Sequence, residues 1–70
     1  FMIQFTLESK EYIQLNQLLK YFQLVETGGQ ALLAIDNGEV KVNGEVEYRR
    51  RNKLYKGFIV EYKQHRIEII

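Results

Sequence analysis

Cysteine, proline and tryptophan are absent from the 70 residues, and histidine occurs once. Without cysteine there is no disulfide framework and no thiolate metal site, so nothing demands an oxidising compartment. Without proline, element boundaries must be read from glycine, capping residues and periodicity. Long apolar runs are missing too. The longest, Ala31 to Ile35, falls far short of the ~20 residues that span a bilayer. The N-terminus shows neither the basic flank nor the apolar stretch of a secretory leader, and Phe1 ahead of Met2 reads as an addition to the natural start. A soluble, cytoplasmic monomer with no membrane partner is the expectation, built as one small domain over residues 1–70. At this length roughly 60% of the unfolded surface can be buried.

Catalytic chemistry has little to stand on. His65 is expected in a tight turn with no serine or cysteine near it in sequence, and Ser9 sits in a charged stretch suited to a loop or cap. The acids do not follow the spacing of a calcium loop. Gly28-Gly29 is not followed by the Gly-Lys-Ser/Thr of an ATPase phosphate loop. Together these argue against an enzyme and against any cofactor or metal.

Charge is nearly balanced at +1 but unevenly placed. Residues 1–40 carry two bases against five acids, net −3, and residues 41–70 carry eight bases against four acids, net +4. Between Arg49 and Lys56 there are five bases and no acid. Such a cluster suits a polyanionic partner, although a solvated charged loop would look the same.

Periodicity supplies the elements. MIQFTL, residues 2–7, partly alternates and predicts a short strand. Leu15, Leu18, Leu19 and Phe22 form the i, i+3, i+4, i+7 stripe of a helix. It begins between Glu11 and Gln14, with no clear N-cap, and ends near Gln23 or Leu24. Thr27 and Gln30 fit a capping box, Ala31, Ala34 and Ile35 an apolar face, and Gly38 a left-handed stop. A second helix over 28–37 follows. Val40 and Val42 then alternate with Glu39 and Lys41 before Asn43-Gly44, a hairpin signal.

A two-residue loop there would set Val42 opposite Glu45. A three-residue loop pairs Val42 with Val46, Val40 with Tyr48, Lys41 with Glu47 and Glu39 with Arg49. The second register keeps acids off the valine face and is the one expected. It makes Tyr48 a core residue. GFIVEY and RIEII predict two further strands joined through Lys63–His65. The fold class is α+β: a two-helix hairpin packed on a small, mostly antiparallel sheet of three to five strands. Whether residues 1–12 join that sheet is left open.

Two features face an anion. Gly28 and Gly29 leave backbone amides uncovered at the positive end of the second helix, where a phosphate can approach; a tight inter-helix turn would use glycines equally well. Arg49, Arg50 and Arg51, with Lys53 and Lys56, are expected where the strand ends near Arg49 and the loop splays its guanidinium groups outward. Tyr48 and Tyr55 bracket the run and, unless buried, offer stacking surfaces to unpaired bases.

With these features in order, LNQLLKYFQLVETGGQALLAIDNGEVKVNGE resembles the S-four domain, or alpha-L RNA-binding motif. The shared parts are Leu-x-x-Leu-Leu-Lys (Leu15 to Lys20), a second helix with Ala31 and Ile35, and Gly-x-Val-x-Val-Asn-Gly (Gly38 to Gly44). The likeness covers about residues 13–62, and TGGQA with VNGEVEYRRRNKL is similar to the small stand-alone bacterial YaaA/YbcJ type. The resemblance implies a non-enzymatic cytoplasmic binder of structured RNA, of a kind often associated with ribosomal RNA and the ribosome. It also implies a binding face carrying Lys20, Thr27, Gly28, Gly29, Gln30, Lys41, Arg49, Arg50, Arg51 and Lys53; Lys56, from the basic cluster, and Asn43, for its hydrogen-bonding side chain, complete the expected contacts. Gln14 and Gly28 stand where many members carry arginine, so the Arg49–Arg51 run is expected to take over those contacts. The mechanism expected is one phosphate-sized cradle, formed where the Gly28-Gly29 amides meet the triple-arginine segment. The competing reading is an adaptor that docks an acidic protein on the basic loop.

Overall fold

The computed structural model describes residues 2–70; Phe1 lies outside them. In chain order the described residues form β1 (Met2–Phe5), β2 (Ile13–Gln14), α1 (Leu15–Tyr21), α2 (Gly28–Asp36), β3 (Val40–Val42), β4 (Glu45–Val46), β5 (Lys53–Leu54), β6 (Ile59–Tyr62) and β7 (His65–Ile69). Five strands make one sheet in the order β1-β7-β6-β3-β4, and β2 pairs with β5 in a separate two-stranded ribbon. The α+β expectation holds. Residues 2–5 do join the sheet, and they do so in parallel with β7, pairing Phe5 with Ile69.

The helices bury the residues that the periodicity selects: Leu15, Leu18 and Leu19 from α1, and Ala31, Ala34 and Ile35 from α2. They meet Phe5, Val40, Val42, Val60, Tyr62, Ile67 and Ile69 from one face of the sheet. Leu54, fully buried, brings the two-stranded ribbon into the same core.

Both helices end in a Schellman motif, in which a left-handed residue turns two late amides back onto helix carbonyls. At α2, Gly38 (φ 75°) donates to the Ile35 carbonyl and Glu39 to that of Ala34. At α1 the left-handed position is held by Gln23 (φ 57°), with Gln23 donating to Lys20 and Leu24 to Leu19. The helix therefore closes at Tyr21, slightly before the expected limit. A side chain in the left-handed region costs about 1 kcal/mol or more, so Gln23→Gly should raise stability by about 1 kcal/mol in urea unfolding.

The start of α1 explains why no cap was visible in sequence. Gln14 makes no side-chain cap. Instead Leu15 donates its amide to the Asn52 carbonyl (2.9 Å) and Asn16 to that of Arg50 (3.2 Å). The caps lie more than thirty positions away. At α2 the Gln30 amide does donate to Thr27 Oγ1 (3.2 Å), but Gln30 Oε1 accepts from Glu26, one residue before the cap (2.7 Å).

The hairpin register differs from the expected one. Lys41 faces Val46 and Val42 faces Glu45, so the loop is Asn43-Gly44 alone, with φ 53° and 88°. Two positive φ values in succession match the twist of a tight hairpin. Asn43 also secures the turn to β6: its Oδ1 accepts from the Ile59 amide (2.9 Å), and its own amide donates to the Ile59 carbonyl (2.7 Å). The cost foreseen for this register, acids beside the valines, is small because β4 is an edge strand where Glu45 stays exposed. Glu47 finds Arg49. The expected Lys41–Glu47 and Glu39–Arg49 cross-strand pairs do not form, and β4 ends at Val46 rather than near Arg49.

The slip of one residue also turns Tyr48 away from the core. It is 63% exposed, not buried as expected, and its ring lies over Gly38. A Cβ at Gly38 would meet the Tyr48 hydroxyl at 3.1 Å.

Candidate nucleic-acid interface

Residues 47–52 form the arch between β4 and β5, and backbone bonds fix it. The Glu47 amide donates to Val40, that of Asn52 to Arg49, and the carbonyls of Arg50 and Asn52 receive the first amides of α1. On this rigid arch the three arginines do different things. Arg49 grips Glu47 through Nε and Nη2, at 2.9 and 3.1 Å, while its own amide donates to the same carboxylate (2.9 Å). Arg50 reaches Asp36, in the last turn of α2, with Nε on Oδ1 (3.0 Å) and Nη2 on Oδ2. Hydrogen bonding to these guanidinium groups holds both carboxyls below their ordinary range. Being exposed, such pairs add little stability; their effect is to orient.

Arg51, Lys53 and Lys56 have no ion-pair partner among the described residues. Lys53 extends its Nζ over the Tyr12 ring, 4.9 Å from the centroid. Next to it, a hollow of about 680 Å³ is lined by Asn43, Arg49, Arg51, Lys53, Tyr55 and Phe58 together with Glu45 and Glu47. Of the residues expected in the interface, Asn43, Arg49, Arg51 and Lys53 therefore meet around one depression. Arg50 faces α2 instead, and Lys56 is exposed on the turn after β5. Asn43 has its oxygen committed to β6, which makes it first a turn residue.

The rest are elsewhere. Thr27, Gly28, Gly29 and Gln30 start α2, and Arg50 is bound to its opposite end. Nine helical residues rising ~1.5 Å each put about 12 Å between the two. Lys20, in the last turn of α1, belongs to the same far end, because the start of α1 rests on the arginine arch. Lys41 is exposed on the sheet face turned away from the helices, in register with Glu61. The glycine amides and the triple-arginine segment thus do not converge into one phosphate-sized cradle. The reason is the length of α2: Arg50 is ion-paired to Asp36 at the C-terminal end of the helix whose N-terminal end the glycines form.

Tyr12 and Phe58 were not singled out in the sequence. Tyr12 reaches the site because β2 pairs with β5 over two residues, Ile13 with Leu54 and Gln14 with Lys53. Strands that short leave no readable alternation.

Among the described residues no three acids, histidines or cysteines lie close enough to hold a metal ion, and no helix is long and apolar enough to cross a membrane. Comparison with known proteins finds the S4 domain model matching residues 5–70. A protein of Escherichia coli (strain K12) named "Putative RNA-binding protein YbcJ" is 38% identical over 69 residues, 99% of either chain. "Probable ribosome maturation protein RlbA" of Bacillus subtilis (strain 168) is 43% identical over 51 residues, 73% of this chain and 72% of that one. The solution structure of YbcJ from E. coli, described as revealing an alfaL motif involved in RNA-binding, superposes with a TM-score of 0.75. It is 37% identical, and the match covers 100% of this chain and 89% of that one.

Proposed function

The chain belongs to the S4 domain family, and on that premise we propose that it is a non-enzymatic module binding structured RNA through the arginine arch and the hollow beside it. The observation that carries this reading is a cluster of cations in and just after the arch, Arg51, Lys53 and Lys56, close together in sequence and with no ion-pair partner among the described residues. The name of the E. coli relative supports RNA as the ligand. The B. subtilis relative is named a probable ribosome maturation protein, which supports a role at the ribosome; the proposed ligand is ribosomal RNA, bound by a cytoplasmic monomer.

The start of α2 supplies a second, separate phosphate contact. Neither glycine there has a positive φ, and a Cβ at Gly28 would meet nothing within 4 Å. Nothing inside the chain requires glycine at that place, whereas a ligand approaching the amides closely does. An RNA strand carries a phosphate at every nucleotide, so one strand can meet both contacts although they are one helix length apart.

The deciding experiment is a titration of a fluorescent ribosomal stem-loop at several salt concentrations. Four neutralised phosphates, at ~0.7–0.9 each, give a slope of log K against log salt near −3 to −4. A slope near zero overturns the reading. Changing Gly28 and Gly29 together to alanine separates binding from folding. Helix propensity improves by up to about 1 kcal/mol per residue, so the melting temperature should rise by several degrees while RNA affinity falls. Unchanged affinity would remove the α2 contact from the interface.

A further inference from the structure

The hollow beside the arch is poorly suited to a phosphate at its centre. Glu45 and Glu47 line it together with Arg49, Arg51 and Lys53. Arg49 is already spent on Glu47, which leaves the Glu45 carboxylate sharing the lining with two unpaired cations. A phosphate in the hollow would be repelled by Glu45. A neutral, flat group would not be repelled.

The walls suit such a group. Tyr55 is 38% exposed, and its ring is held by two others: Phe58 edge-on at 5.8 Å and 70°, and Tyr12 at 6.0 Å and 54°. Tyr12 is itself covered by the Lys53 ammonium. A ring fixed from two sides loses little freedom when another ring stacks on it. The volume, about 680 Å³, falls within the ~300–1,000 Å³ of small-molecule sites. A base inside a duplex is already stacked above and below and cannot offer its face, whereas an unpaired one can.

We propose that this hollow seats a single unpaired nucleobase of the bound RNA, stacked on Tyr55, with the flanking phosphates held at the rim by Arg51 and Lys53. The proposal rests on the RNA-binding reading and sharpens it. The module distinguishes a bulge from uninterrupted helix, and does so at one place.

The test uses two RNA hairpins with identical stems and loops, one carrying a single bulged 2-aminopurine and the other fully paired. The intact chain should bind the bulged RNA roughly tenfold more tightly, the order expected of one base–aromatic stack, and should quench the 2-aminopurine fluorescence. Tyr55→Ala should abolish both the preference and the quenching. Tyr55→Phe, which keeps the ring, should retain both. If Tyr55→Ala fails to fold by circular dichroism, the quenching by the intact chain and by Tyr55→Phe still decides. Equal binding of the two RNAs without quenching overturns this proposal and leaves the RNA-binding reading standing. Failure to bind either RNA overturns both.

Discussion

Exchanging Arg51, Lys53 and Lys56 together for glutamine is expected to weaken RNA binding by roughly two to three orders of magnitude near 0.1 M salt, since each lost phosphate contact forfeits ~0.7–0.9 of the logarithmic salt slope. The same exchange should flatten that slope by two to three units. Stability should hardly move, because all three side chains are exposed and outside the internal ion pairs, and such surface changes usually stay within about 0.5 kcal/mol each. Electrophoretic shift over a salt series, paired with a thermal melt, reads both quantities. Wild-type affinity in the triple variant would show that the free cations are not the contact. A collapsed melting transition would show that the cluster was structural. Arg49 and Arg50 make poorer probes, because removing either also frees Glu47 or Asp36.

Leu54→Ala carries the second large effect. Leu54 is fully buried and stands on β5, opposite Ile13. Emptying a core leucine site costs about 2–5 kcal/mol, against a total of ~5–15 kcal/mol for a domain. The cost should extend to function before global unfolding. The Leu54 anchor holds β5, β5 holds Lys53, and the arch behind it offers the carbonyls that receive the amides of α1. Urea denaturation should show the midpoint falling sharply, and RNA titration under folding conditions should show a loss larger than the unfolded fraction explains. A variant within 1 kcal/mol of the parent would mean that the ribbon repacks freely and does not position the arch.

Local rules went a long way in this chain. Leu15, Leu18 and Leu19, Thr27 with Gln30, the Gly38 stop, the Asn43-Gly44 turn and the two late strands all depend on neighbours within a few positions. Where partners are distant, the sequence was silent or misleading. The cap of α1 is provided by backbone carbonyls of Arg50 and Asn52, and carbonyls are the same in every residue. The parallel pairing of β1 with β7 leaves no local mark. The hairpin register departs from face-matching because β4 is an edge strand. At an edge, turn geometry prevails and the acids remain in water.

The candidate site was legible as a cluster of charge but not as an arrangement. Five bases between Arg49 and Lys56 mark one end of the molecule. That Arg49 and Arg50 would be held by Glu47 and Asp36, leaving Arg51 and Lys53 free, depends on where α2 ends relative to the arch. Tyr48 and Tyr55 looked alike in sequence. One lies over Gly38 and the other lines the hollow, a difference set by the register and by the short ribbon.

The pairing of β1 with β7 joins segments some 64 positions apart, as in the Gln4–Glu68 side-chain bond. Residues near the beginning of the chain must therefore wait for those near residue 69 before the sheet can take its final edge. Pairing across so long a stretch of chain costs loop-closure entropy before any contact offsets it, so this edge is expected to close late in folding and to slow it.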